Sequence, residues 1–216
     1  HLTGPGDDPG PAGRIARQWS RAAARSVSVA HLAHALEGIA AERIALCLAA
    51  TGPTPVDRAA QVVEAVLTDH PRMEGAALIL ADAALARALG ATHLLPLLAL
   101  TLKSRDLRLR GDDLRLACHR AVVSAVGQAL PLAGDLARAA ARLRAVAPKL
   151  RAKAAGRAVD LFLSCDALAP AALTFMSDRA ARRLCDRLVG LGALRELTER
   201  DTFRLYGVIL NLCVTV

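Results

Sequence analysis

Residues 177–208 decide the fold: Ser177-Asp-Arg-Ala-Ala-Arg-Arg-Leu-Cys-Asp-Arg-Leu-Val-Gly-Leu-Gly192, then Ala193-Leu-Arg-Glu-Leu-Thr198, a polar link, and Phe203-Arg-Leu-Tyr-Gly-Val208. Ser177 carries a side-chain oxygen that can accept an orphan N–H at a helix start. From Asp178 to about Leu191, apolar residues fall at Ala181, Leu184, Cys185, Leu188 and Leu191, the spacing of one helical face. Arg179, Arg182, Arg183, Asp186 and Arg187 form the polar face. Gly192 ends the helix, because glycine enters the left-handed conformation of a C-terminal cap without steric cost. The period then changes. Leu194–Thr198 and Phe203–Val208 read as short strands around Glu199-Arg200-Asp201-Thr202, with Phe203, Leu205 and Tyr206 bringing strand propensity.

Upstream, Gly156 marks a break, Arg157–Cys165 reads as a helix, and Asp166 can cap a short helix Ala167–Leu173 with Pro170 in its first turn. Three helices followed by a β-hairpin is the order of a winged helix-turn-helix, whose third helix enters the major groove while the hairpin follows the backbone. Arg179, Arg182, Arg183 and Arg187 on the third helix, with Arg195, Arg200 and Arg204 near the wing, are the candidate contacts to double-stranded DNA. Asp178, Asp186, Glu196, Glu199 and Asp201 dilute that surface. Winged helices also serve as interaction or dimerisation modules, so a protein partner or homo-oligomer is the alternative.

The preceding chain is helical in pattern. His1–Gly13 reads as loop, broken by Gly4, Pro5, Gly6, Pro9, Gly10, Pro11 and Gly13. Helices follow over Arg14–Arg25, from Ser26 or Ser28 to about Ala50, over Asp57–Asp69, over Arg72–Leu89 and over Thr92–Leu102. The Arg72–Leu89 segment is apolar nearly all round, which places it at the centre of a bundle. Asp82 within it implies a structural partner such as Arg87 or Arg120. Asp112 and Asp113 open a sixth helix to about Leu130, Pro131 and Gly134 break the pattern, and a seventh helix from Asp135 ends near Pro148. Its Arg138/Arg142 and Lys149/Lys153 pairs make the Arg138–Lys153 stretch a second candidate anion surface. The predicted organisation is a loop over 1–13, an α-helical bundle over 14–155, a winged-helix-like unit over 156–208 and an apolar tail over 209–216.

Composition sets the class. The 216 residues are 54% hydrophobic and only 2% aromatic, so an all-β fold is excluded and a mainly helical one is favoured. The +8 charge is localised: Lys103–Gly156 carries 12 basic and 4 acidic residues, whereas His1–Leu102 has 8 and 9 and Arg157–Val216 has 8 and 7. Such a zone attracts polyanions, although arginine-rich solvated faces produce the same count. Cysteines at 47, 118, 165, 185 and 213 show no CxxC spacing and read as buried reduced thiols of a cytoplasmic protein. The chain begins with His1, carries no signal peptide and reads as a trimmed segment. The uncharged runs Ala88–Leu102 and Ala121–Gly134 are too short for a membrane and read as buried helices.

No enzyme and no cofactor is expected. A Gly-rich phosphate loop, GxSxG and HExxH are all missing from the sequence. His31, His34 and Glu37 share roughly one helix face; a polar helix edge is favoured over a metal set because no remote ligand cluster supports them. Cys118 and His119 are adjacent and point to different faces, so they form no dyad.

The stretch from Arg182 to Gly207 resembles the winged helix found behind Fic-type domains: a leucine-rich helix, Gly192-Ala-Leu194, then a turn and an aromatic strand. That pattern's Thr-Gly-Arg turn is Thr198-Glu199-Arg200 here, and the Fic catalytic motif is missing, so no enzyme carries over. Pro5–Arg14, Leu80-Ala-Asp-Ala-Ala-Leu-Ala-Arg-Ala-Leu-Gly90 and the C-terminal stretch together resemble the uncharacterised bacterial family Domain of Unknown Function 1403 over nearly the whole chain. The resemblance implies a fold rather than an activity. The expected fold class is all-α: a helical bundle with a C-terminal winged-helix-like unit carrying a small β-hairpin.

Overall fold

A computed structural model describes residues 10–150, 154–198 and 203–209. They are mainly helical and carry one two-stranded sheet. The chain forms two compact units, His1–Gln128 and Ala129–Val216.

In the first unit, α1 (Gly10–Ala23) begins inside the segment read as loop. Pro11 lies in its first turn, where the missing N–H is lost to no intrahelical bond. Residues 1–9 of the expected loop lie outside the described residues. The single helix expected up to Ala50 is two, α2 (Val29–Ala35) and α3 (Ala41–Leu48). Gly38 (φ +89°) turns the chain between them and lets Leu36 and Ile39 both enter the core. α4 (Pro55–Asp69) starts with a reciprocal cap: Thr54 Oγ1 accepts from the Asp57 N–H, and the Asp57 carboxylate accepts from the Thr54 N–H. α5 (Glu74–Ala88) is buried from Ala76 to Ala86 except Leu78, as the all-round apolar pattern implies, and packs most extensively on α4.

Asp82 does not meet an arginine. Fully buried on α5, its carboxylate accepts the N–H groups of Leu98 (2.8 Å) and Ala99 (3.1 Å) at the start of α6 (Leu97–Thr101). Two orphan donors of a five-residue helix are thereby satisfied from a neighbouring helix. Burial pushes its pKa up to about 7 against the lowering effect of those bonds.

α7 runs unbroken from Gly111 to Val146, through Pro131. A proline ring crowds the carbonyl of residue i−4. Here that residue is Gly127, and the helix continues past Pro131 to Val146. The run Ala121–Gly134 is not the buried helix its composition suggests: Ala121 and Ala125 are buried, but Val123 and Leu130 are 74% and 67% exposed. Ala88–Leu102 is likewise mixed, with Leu98 buried and Leu89 and Leu100 exposed.

The second unit begins within α7 rather than at Gly156, because Leu143 and Val146 belong to the C-terminal core. α8 (Ala155–Ser164) contributes Val159 and Phe162 to it. The expected helix Ala167–Leu173 is only a 3₁₀ turn, Pro170–Ala172. Leu168 pairs instead with Tyr206 through two backbone bonds of 2.9 Å, and that extended pairing competes with helix. α9 (Asp178–Gly190) follows, then β1 (Leu194–Glu196) and β2 (Tyr206–Val208), antiparallel with Arg195 opposite Gly207. Leu197 N–H donates to Leu205 O at 2.8 Å, continuing the hairpin beyond the named strands. Of the expected tail only Ile209 is described; it accepts a bond from Arg142 through its carbonyl (2.9 Å).

Candidate nucleic-acid interface

α9 is built as its sequence dictates. Ser177 Oγ accepts from the Ala180 N–H (3.4 Å), Asp178 occupies the first turn, and Gly192 takes φ +68° beyond the end. Ala181, Leu184, Cys185 and Leu188 are buried against Phe162, Leu173 and Tyr206 in the C-terminal core. That fixes the opposite face outward, and Arg179, Arg182, Arg183 and Arg187 are all exposed.

The four arginines are not equivalent. Arg182 donates to Asp178 one turn earlier at 2.9 Å. Arg179, Arg183 and Arg187 are spaced four apart, so they form a row along one edge of α9, and none has an ion-pair partner among the described residues. Like charges four apart repel by about 0.2–0.5 kcal/mol per pair. Arg195 is exposed on β1 and also unpaired among the described residues. Arg204 is exposed and lies 3.6 Å from Glu196 and beside Tyr206. Arg200 lies outside the described residues. In the second candidate zone, Arg138 bonds Asp135 at 2.6 Å and Arg142 is held by Ile209 O, while Arg144 and Lys149 are exposed. Lys153 lies outside the described residues.

Two further features beside α9 were not legible from spacing or strand propensity. Tyr206, buried, directs its hydroxyl to Asp186 (3.4 Å), and burial raises its pKa. Phe203 has φ +60° and is 91% exposed. A left-handed conformation costs a non-glycine residue about 1–2 kcal/mol. An unburied phenylalanine forgoes about 1.5–3 kcal/mol. Only the dearth of aromatic residues elsewhere could have drawn attention to Phe203 in advance.

Other candidate chemistry is not assembled. Burial pushes the Cys118 and Cys185 thiols up to about 12, which keeps them protonated and unreactive. Cys47, Cys118, Cys165 and Cys185 are unbridged; Cys165 is exposed, contrary to the expectation of burial, because it follows α8 at the surface. His31 Nε2 lies 3.3 Å from Ala22 O rather than joining His34 and Glu37. Among the described residues no group of three or more His, Cys, Asp or Glu is placed to hold a metal ion, and no helix is long and apolar enough to cross a membrane.

The chain belongs to the DUF1403 family, described as "Protein of unknown function", whose family model matches residues 1–208. No curated protein and no solved structure matches it.

Proposed function

For this member of a family without an assigned activity, we propose a non-enzymatic, DNA-binding role: the C-terminal unit acts as a winged helix that grips double-stranded DNA through α9, in a regulatory or accessory protein of the cytoplasm. One observation carries the reading, the row of Arg179, Arg183 and Arg187, aligned, exposed and unpaired among the described residues. A phosphate backbone relieves their repulsion and releases counter-ions as it does so. The element order supports it: α8, the Leu168 bridge, a single turn, α9 and the hairpin, with Arg195 and Arg204 beside the wing.

The test is a duplex titration followed by fluorescence anisotropy across a range of salt. The expected result is affinity falling steeply with salt, with a slope reduced by about 3 in the triple variant R179A/R183A/R187A at nearly unchanged melting temperature. Salt-insensitive or undetectable binding in low salt would overturn the reading.

A second reading, an interaction or oligomerisation module, is favoured by α7. Leu116 and Val123, both in the first unit, are exposed seven residues apart. Such spacing is that of a helix-to-helix seam. Sedimentation velocity on the chain and on L116E/V123E separates the two.

A further inference from the structure

A cavity of about 540 Å³ opens beside α9, lined by Pro170, Arg182, Asp186, Phe203, Arg204 and Tyr206 among others. Its volume lies within the range of about 300–1,000 Å³ typical of small-molecule sites. Its wall chemistry is mixed in a specific way. Phe203 offers a bare aromatic face, held outward by its left-handed backbone. Arg182, which also bonds Asp178 on the same wall, and Arg204, 3.6 Å from Glu196, contribute guanidinium donors. Asp186 accepts the Tyr206 hydroxyl and retains further lone pairs for a donor brought by a ligand. Trp19 and Phe175 pack against the cores, and Phe162 and Tyr206 are buried in the second one, so Phe203 is set apart from the other aromatic residues of the chain.

A flat ring, an N–H donor and an anion are the complements of those three features. We propose that this cavity binds a single nucleotide, its base stacked on Phe203, its N–H groups directed at Asp186 and its phosphate at Arg182 and Arg204. Guanine fits best, because its adjacent ring N–H and amino group present donors to one carboxylate; uracil, with one ring N–H and no amino group, fits worst. The nucleotide comes either free or as an unpaired residue of a DNA strand. For the second source the proposal rests on the DNA-binding reading above; for the first it does not.

The experiment uses the full chain and its F203A and D186N variants, both altered at exposed positions. One arm titrates GMP and UMP by calorimetry. The other compares a blunt duplex with the same duplex bearing one unpaired 5′ guanine, by anisotropy. The expected result is a preference for GMP over UMP, for the overhang over the blunt end, or for both, each weakened about tenfold or more in F203A and D186N, the scale of a lost base stack. GMP binding alone identifies the free nucleotide as ligand; overhang preference alone identifies the strand end. Blunt-duplex binding with neither preference, or preferences unchanged in F203A, overturns the cavity proposal and leaves the duplex reading standing. GMP binding without any duplex binding overturns the duplex reading alone.

Discussion

Replacing Asp82 with asparagine tests the best-defined polar site in the first unit. The wild-type carboxyl is fully buried and accepts the N–H groups of Leu98 and Ala99. Burial lifts its pKa from 3.8 to about 7. The folded state therefore holds this proton more tightly than the unfolded one. Between those pH values the native state binds more protons, so the contribution of Asp82 to stability falls as pH rises, and levels off above about 7. A shift of about 3 units corresponds to up to about 4 kcal/mol. Asp57 titrates in the opposite sense, its pKa held low first by the Thr54 hydroxyl bond and, with other causes, by His119, so total stability mixes the two slopes.

The variant isolates one of them. Asparagine keeps an acceptor for the Leu98 N–H but cannot titrate, so the stability difference between wild type and D82N should move by up to about 4 kcal/mol from about pH 4 to about pH 8, the wild type losing ground. Urea unfolding followed by circular dichroism measures it. In D82A both N–H groups lose their acceptor, and at about pH 5 the loss should be about 2–4 kcal/mol. A difference between wild type and D82N that does not vary with pH would refute the buried titration. A D82A variant within about 0.5 kcal/mol of wild type would show that α6 does not depend on this cap.

Gly207→Ala should destabilise the protein by about 1–3 kcal/mol, because a Cβ there would meet Asp166 O at 2.9 Å and Leu197 Cδ1 at 3.0 Å; a smaller change in urea midpoint would mean the hairpin does not press on that segment. With a thiol reagent in native buffer, Cys165 should react fast and Cys47, Cys118 and Cys185 slowly, all becoming fast in denaturant. On the reading of α7 as a seam between copies, L116E/V123E should shift the sedimentation coefficient to that of a monomer while changing the unfolding free energy by no more than about 1 kcal/mol, since both side chains are exposed.

Helix type and order were legible wherever the signal was local. Ser177 and Gly192 bracket α9 in sequence as they do in space, and the all-round apolar pattern of α5 announced its burial. The misreadings have two causes, an element boundary that the pattern concealed and a local signal outweighed by a distant partner. The helix expected from Asp57 opens at Pro55, with Thr54 and Asp57 forming its cap. Glu37-Gly38 sat inside an amphipathic pattern whose period hid the turn. Asp82 suggested an arginine, but its partners are backbone groups sixteen and seventeen residues away. Leu168 had helix-compatible neighbours, and only Tyr206, far along the chain, draws it into extended pairing. The arginine face of the candidate site and the four-residue spacing of its row were visible in the sequence; that Arg182 is paired depended on side-chain geometry.

Those departures from local rules divide into two kinds, and the division bears on function. A sequence that specifies one structure satisfies propensity, packing, polar pairing and charge together, and natural proteins depart from this mainly at functional sites. In the first unit the departures resolve internally. The buried Asp82 finds two donors, Gly38 meets the steep turn between α2 and α3, and Asp57 closes its cap. In the second unit two do not resolve among the described residues: the like-charged row Arg179, Arg183 and Arg187, and the exposed, left-handed Phe203. α9 has its cap, its acidic first turn and its buried face without the row; Arg187, in the last turn, complements the helix dipole, and helix stability gives no reason for aligning Arg179 and Arg183 with it. Nor does the core gain from a ring held away from it. Two parts of one DNA ligand would remove them separately: backbone phosphate beside the row would offset the repulsion, and an unpaired base on Phe203, its own phosphate at Arg182 and Arg204, would restore the contact the fold forgoes. A partner protein covering the same surface would need to bring carboxylates to the arginines and an apolar group to the ring. The salt slope and the guanine-over-uracil preference discriminate between those two complements.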